Sequence, residues 1–220
     1  MPLKFVDVVP GMPDRDFRRV GSAEAPLIAE AILSSTSTNF SLMGSMLSWV
    51  AVRSGTPQAV LDQLGLHDTG IHHTPGTSQF AGATMRNGWY VVIDYEVEPP
   101  GYLAKMHALQ QLSSGIAESE VIACYESSYG STSGVAAWTG GQRIWSVIHD
   151  SAQAEGPNHI LGEGEPPVEF AALLAKAWDD NSRSDGIDYV FDVPITFAGN
   201  LTGFSENRKL PRGSKITVLA

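Results

Sequence analysis

The stretch that decides the fold is VAAWTGGQRIWSVIH, residues 135–149. Two runs rich in β-branched and aromatic residues flank a glycine pair at 140–141, and a tight two-residue hairpin turn accepts such a pair. In this register Trp138 faces Arg143. One face of the second strand then carries Arg143, Trp145, Val147 and His149. The sequence therefore predicts two adjacent antiparallel strands.

Further strand-like and helical segments surround this hairpin. Thr56 is a suitable N-cap, Pro57 fits the first helical turn, and Gly65 provides a left-handed stop. Strands are predicted at 46–52, 88–97, 119–126 and 158–164, and helices at 57–64, 103–112, 168–178 and 194–201. The segment 187–193 is either a last strand or an extended segment. The pattern indicates an α+β domain with a mainly antiparallel sheet and helices packed on it.

Composition divides the chain into three parts. Residues 1–44 contain four prolines and the run SSTSTNFS, which indicates a flexible or loosely packed N-terminal appendage. Residues 45–204 form the predicted α+β domain, with 66–87 as a long surface loop. Residues 205–220 are predicted to be a solvated tail. Translation that begins at Met43 or Met46 is a further hypothesis, which an intact-mass measurement on native material tests.

Charge and composition exclude several classes of function. The net charge is −10, and residues 45–204 hold 18 acidic and 6 basic side chains, so nucleic acid and anionic membrane surfaces are unsuitable partners. The sequence lacks a long apolar run and a secretory signal pattern, and Cys124 is its single cysteine. These observations predict a cytoplasmic protein that is either simply soluble or attracted to a basic partner.

The His149-Asp150 pair is the most catalytic-looking motif in the chain. The predicted register places His149 on the same face as Trp145 and Val147, which favours a packed, hydrogen-bonded histidine. Asp150 is then expected to begin a turn. The alternative is a small hydrolase that uses His149 and Asp150 with Cys124 as nucleophile, although a lone cysteine within VIACYE is typical of a buried position.

Other catalytic or cofactor signals are weaker. The run GSTSG at 130–134 has Thr132 where a serine hydrolase has its nucleophile. His67, His72 and His73 could meet a metal together with Asp68, but their spacing does not match a known compact site and favours a solvated loop. We therefore predict neither a metal nor a cofactor.

Acidic and aromatic residues at the predicted strand ends suggest a binding surface. An acidic rim around an aromatic patch suits fast, electrostatically steered association with a basic protein. The residues predicted to contribute are Asp94, Glu96, Glu98, Glu118, Glu120, Glu126, Trp138 and Arg143.

Four segments carry a resemblance to a known group of proteins. They are SGTPQAVLDQLGL (54–66), NGWYVV (87–92), WTGGQRIWSVIHD (138–150), and IDYVFDVP with LTGF (187–194 and 201–204). Their order resembles small, acidic, uncharacterised bacterial proteins, and in size and acidity the chain is similar to immunity proteins that neutralise toxins. The resemblance implies no residue roles. The leading expectation is a non-enzymatic protein-binding domain, of the immunity or inhibitor type, that engages a basic partner.

Overall fold

The computed structural model describes residues 46–74, 78–95, 106–128, 131–152, 160–182, 187–205 and 215–220. Within them the chain forms one nine-stranded antiparallel sheet and four helices, which confirms the predicted α+β fold. The strands are β1 (Met46–Arg53), β2 (Asp68–His72), β3 (Phe80–Thr84), β4 (Tyr90–Asp94), β5 (Glu120–Ser127), β6 (Thr132–Thr139), β7 (Gln142–Asp150), β8 (Ile160–Gly164) and β9 (Ile216–Leu219). The helices are α1 (Pro57–Leu64), α2 (Met106–Gly115), α3 (Glu169–Asn181) and α4 (Asp192–Thr202). The strand order is β2-β9-β3-β4-β1-β5-β6-β7-β8.

The sheet is buried on both faces because helices pack on each of them. Helices α3 and α4 cover the face that carries Trp49, Trp145 and Val147, and they contribute Phe170 and Phe197 to that core. Helices α1 and α2 cover the opposite face. We refer to the two sides as the α3/α4 face and the α1/α2 face. Strand alternation explains this arrangement, since successive residues of β1 point to different helical layers.

Helix α1 begins and ends as its sequence predicts. Thr56 Oγ1 accepts a hydrogen bond from the Ala59 N–H at 3.2 Å, and Pro57 occupies the first turn. Gly65 ends the helix with φ of 68°, a left-handed conformation that glycine adopts without a steric penalty.

The β6-β7 hairpin has the predicted turn and one irregularity. Trp138 pairs with Arg143, as predicted, but Ala137 pairs with Trp145. Ile144 is therefore an extra residue in β7, and this bulge places Arg143 on the face opposite Trp145. The prediction that Arg143, Trp145 and His149 share one face is wrong for Arg143, because a bulge shifts the side-chain alternation by one residue.

Two segments predicted to lie outside the sheet belong to it. The predicted loop 66–87 contains β2 and β3, and the predicted solvated tail contains β9, which lies between them. Strand β3 consists mostly of small residues, and it forms because β4 and β9 pair with both of its edges. The Tyr90 hydroxyl lies so close to Gly82 that a Cβ there would be 2.4 Å away. Strands β2 and β3 depend on long-range pairing, which local composition does not reveal, whereas the run ITVL of β9 is typical of a strand.

The last helix, predicted from Pro194, begins two residues earlier and ends before Gly203, whose φ is 78°. The segment before it is a turn rather than a strand, because Asp188 Oδ1 accepts hydrogen bonds from the Val190 and Phe191 N–H groups. The predicted appendage, 1–44, lies outside the described residues. Of the helices in the described part, none is long and apolar enough to cross a membrane.

Candidate functional site

His149 lies near the C-terminal end of β7 and is fully buried on the α3/α4 face. Its Nδ1 lies 3.1 Å from the Ser131 carbonyl oxygen. A carbonyl oxygen only accepts hydrogen bonds, so Nδ1 is the donor and carries a proton. The ring also makes an edge-on contact with Phe191, with centroids 5.8 Å apart. The prediction of a packed, hydrogen-bonded histidine agrees with this environment.

The acidic neighbour of His149 is Asp188 rather than Asp150. His149 Nε2 lies 3.0 Å from Asp188 Oδ2, although its N–H direction is not aligned for a regular hydrogen bond. Acceptors therefore face both ring nitrogens. Burial, and then the neighbouring Asp188 carboxylate, raise the pKa of Asp192. Asp188 therefore lies close both to His149 of β7 and to Asp192 at the start of α4, and it connects these two elements.

Asp150 plays the turn role that its sequence position predicts. Its Oδ1 accepts a hydrogen bond from the Ala152 N–H at 3.0 Å. Adjacent strand residues point to opposite faces, so the Asp150 and His149 side chains diverge. The sequence pair therefore does not form a catalytic pair in space.

Cys124 is remote from His149. It lies opposite Val135 on β6, whereas His149 lies opposite Ser133, so two strand spacings and a two-residue offset separate their Cα atoms by roughly 12 Å. Burial raises the pKa of the Cys124 thiol well above its usual value, and the Glu126 carboxylate raises it further. A thiol in this state is protonated and a poor nucleophile. The predicted alternative set of His149, Asp150 and Cys124 is not assembled.

A small depression on the α3/α4 face lies beside Cys124. It is lined by Leu47, Trp49, Cys124, Tyr125, Glu126, Ile195, Phe204 and Ser205. His149 is not among these residues, so the buried histidine does not open into the depression.

The histidines of the predicted loop occupy ordered positions around β2. His72 Nδ1 lies 2.8 Å from the Ile216 carbonyl oxygen, and the His73 ring stacks on Tyr95 with centroids 5.0 Å apart. Burial, and then His72, lower the pKa of His73. Within the described residues, no group of three or more His, Cys, Asp or Glu side chains is arranged to hold a metal ion, and His67, His72 and Asp68 are exposed at the sheet edge.

In the structure, the acidic and aromatic residues that were predicted to form one surface do not lie together. Asp94, Glu126 and Trp138 are buried, with 0%, 9% and 4% of their surface exposed, so they do not form an exposed rim. Burial results from their positions inside the sheet, and Asp94 accepts a hydrogen bond from Gln79 Nε2 at 3.2 Å. Glu118 remains exposed at a turn.

The remaining members of that set pair with other side chains or lie outside the described residues. Glu120 forms an ion pair with Arg53, which also lies over the Trp89 ring at 4.9 Å. Arg143 pairs with Glu163 on β8 instead of stacking on Trp138. Glu96 and Glu98 lie outside the described residues.

A second set of exposed residues includes both acidic and apolar side chains. Around β8 and the start of α3, Glu163, Glu165 and Glu169 are exposed close in sequence to apolar side chains. The apolar members are Ile144, Leu161 and Val168, with 52%, 49% and 82% of their surface exposed. We call these six residues the β8 surface. The sequence alone indicates no role for Glu163 and Glu165, and the exposed Ile144 lies at a bulge that the predicted hairpin register does not include.

No protein family model, curated protein or solved structure shows a significant match to this chain.

Proposed function

We propose that this chain is a protein-binding domain that engages a basic partner through its acidic surface, and that it does so in the cytoplasm. The observation that carries the proposal is the charge imbalance of the described residues, which include 14 acidic and 5 basic side chains. Opposite charge on a partner accelerates encounter and suppresses association with acidic proteins.

Ion pairs within the chain involve three basic side chains and leave the excess of acidic charge unchanged. Arg53, Arg143 and Lys176 form ion pairs with Glu120, Glu163 and Asp180. Three of the five described basic side chains are therefore partly neutralised, while Glu165, Glu169 and Asp179 are exposed to solvent. Apolar residues on the β8 surface supply contact area that charge alone does not provide.

The alternative of a hydrolase based on His149 receives less support. The imidazole is fully buried, its Nδ1 proton is directed at a carbonyl oxygen, and its other nitrogen faces Asp188. A general base needs reach to a substrate proton, either directly or through one water. Inhibitors and immunity proteins act by binding alone, and this class fits a small acidic domain in which the described residues His149, Asp150 and Cys124 do not come together.

Affinity capture tests the proposal. The full chain is immobilised and exposed at low ionic strength to extract from the cells in which it is made, and bound proteins are eluted with salt and identified. We expect a small set of basic proteins that the charge-reversed variant Glu163→Lys/Glu165→Lys/Glu169→Lys captures less well. If one is an enzyme, its activity in the purified complex tests the inhibitor role. Capture of no specific protein, or of acidic proteins that ignore salt, contradicts the proposal.

A further inference from the structure

Strand β8 is an edge of the sheet. It pairs with β7 through five consecutive residue pairs, from Trp145 with Gly164 to His149 with Ile160. Within the described residues no strand pairs with its outer side. Alternate backbone N–H and C=O groups of an edge strand point outward and can form a ladder with another chain.

The two edges of the sheet differ in regularity. Strand β2, at the opposite edge, pairs with β9 through a shifted register, and Gly70 within it has a φ of 71°. Such irregularity protects an edge from added strands. Strand β8 pairs with β7 without a register shift, and its one left-handed residue, Gly164, is the last of the strand. It contains neither Lys nor Pro, which are common protective residues on edges. It is the edge better suited to pairing with another strand.

The side chains along β8 determine which kinds of residue an added strand should carry. Leu161 lies opposite Ile148, and Glu163 lies opposite Ser146, so both project from the α1/α2 face beyond α2. Gly162, opposite Val147, projects no side chain from the other face. An added strand that alternates basic and apolar residues would place its basic side chains beside Glu163 and Glu165.

We infer that the outer edge of β8 binds an extended basic segment of the partner by adding it to the sheet as a tenth strand. This inference rests on the proposed function and specifies its binding site. A second copy of this chain is the less suitable occupant, because two β8 edges would bring Glu163 and Glu165 of both copies together and each chain carries a net charge of −10.

Labelled peptides test the inference. The probe is a ten-residue peptide that alternates lysine and valine, and its binding to the full chain is measured by fluorescence anisotropy at low ionic strength. Two further peptides have the same sequence but carry backbone N-methyl groups on alternate residues. One of them is methylated along one edge of the extended peptide, and the other is methylated along the opposite edge. Strand addition uses one edge only, so we expect one methylated peptide to bind at least about tenfold more weakly than the other.

Variants separate strand addition from general charge attraction. Glu165→Lys changes the β8 surface, and Asp62→Lys makes the same charge change at an exposed position on α1. We expect Glu165→Lys to weaken binding of the lysine–valine peptide at least about threefold more than Asp62→Lys. Hydrogen exchange is expected to slow at backbone amides of β8 when the peptide binds.

Each contrary result overturns the inference. Equal binding of both methylated peptides, equal effects of the two variants, or no binding of the unmodified peptide would each exclude strand addition at β8. The proposed function survives any of these if the full chain still captures a basic partner in a salt-sensitive manner. It fails separately if no such partner is captured.

Discussion

At the scale of single residues, His149 shows how a catalytic-looking motif becomes a structural contact. The imidazole has 0% of its surface exposed and joins three segments of chain, through Ser131, Asp188 and Phe191. Replacing the imidazole leaves the Ser131 carbonyl oxygen without its donor at a buried position, which is destabilising. We conclude that His149 stabilises the junction between β7 and α4.

A double-mutant cycle measures this coupling. The variants are His149→Phe, Asp188→Asn and the double variant, and their unfolding free energies are obtained from urea denaturation. We expect His149→Phe to destabilise by about 1–3 kcal/mol, with a coupling energy above about 0.5 kcal/mol between the two sites. As a control, Thr56→Ala combined with Asp188→Asn should be additive. Additivity of the His149 and Asp188 substitutions within about 0.5 kcal/mol would contradict the structural pairing.

The burial of Cys124 predicts low reactivity. Thiol reagents attack the thiolate, and burial raises the pKa of this thiol while the sheet restricts access to it. We expect reaction with a chromogenic disulfide reagent at neutral pH to be at least about a hundredfold slower in the folded protein than in denaturant. Fast stoichiometric labelling of the folded protein would show an accessible thiolate and revive the hydrolase alternative.

At the scale of elements, β8 depends on one glycine. Gly164 has a φ of 69°, and a Cβ at this position would lie 2.2 Å from the Ile144 carbonyl oxygen. Gly65 has a similar φ of 68° at the end of α1 but has no other atom within 4 Å of such a Cβ. Substitution of the two glycines therefore distinguishes the destabilisation caused by a crowded backbone from the destabilisation caused by a left-handed conformation.

Alanine substitution at these glycines tests the packing of β8 on β7. Gly65→Ala should destabilise by about 1 kcal/mol, since it incurs only the left-handed penalty. Gly164→Ala should destabilise by at least about 1 kcal/mol more, because the backbone of β7 must also move. Thermal or urea unfolding of both variants provides the comparison. Equal destabilisation would show that β8 does not pack against the Ile144 carbonyl as described.

Sequence signals that act over a few neighbouring residues predicted some elements well and others poorly. Helix α1 and the β6-β7 turn follow from a cap, a proline and paired glycines, which act over a few residues. Strands β2 and β3 could not be predicted in this way, because they consist mostly of polar or small residues and form through pairing with other strands. Strand β9, with the sequence ITVL, carries a local strand signal, but the basic residues before it favoured the interpretation of a solvated tail. The sequence also did not predict the bulge at Ile144, and for this reason the predicted face for Arg143 was wrong.

The candidate site was predictable only in part. Alternation along β7 indicated the burial of His149, but its partner Asp188 is 39 residues further along the chain and comes into contact through tertiary packing. Acidic residues at strand ends were expected to be exposed, yet Asp94 and Glu126 are buried because neighbouring elements cover these strand ends. Net charge, by contrast, is read directly from the sequence.

At the scale of the whole molecule, charge is the property from which the proposed function follows. The chain carries a net charge of −10, and its described residues include 14 acidic and 5 basic side chains. Association that depends on such charges weakens as salt shortens the range of their interactions. Binding mainly through apolar contacts would respond little to salt.

The most direct test of the central claim is the dissociation constant of the complex with the captured partner, measured by calorimetry across a salt series. Between about 0.05 and 0.5 M NaCl the account predicts that this constant rises at least about tenfold. It also predicts a smaller rise for the Glu165→Lys variant, which has fewer attractive charges. A dissociation constant that changes less than about twofold across the series would contradict the claim that acidic side chains govern binding.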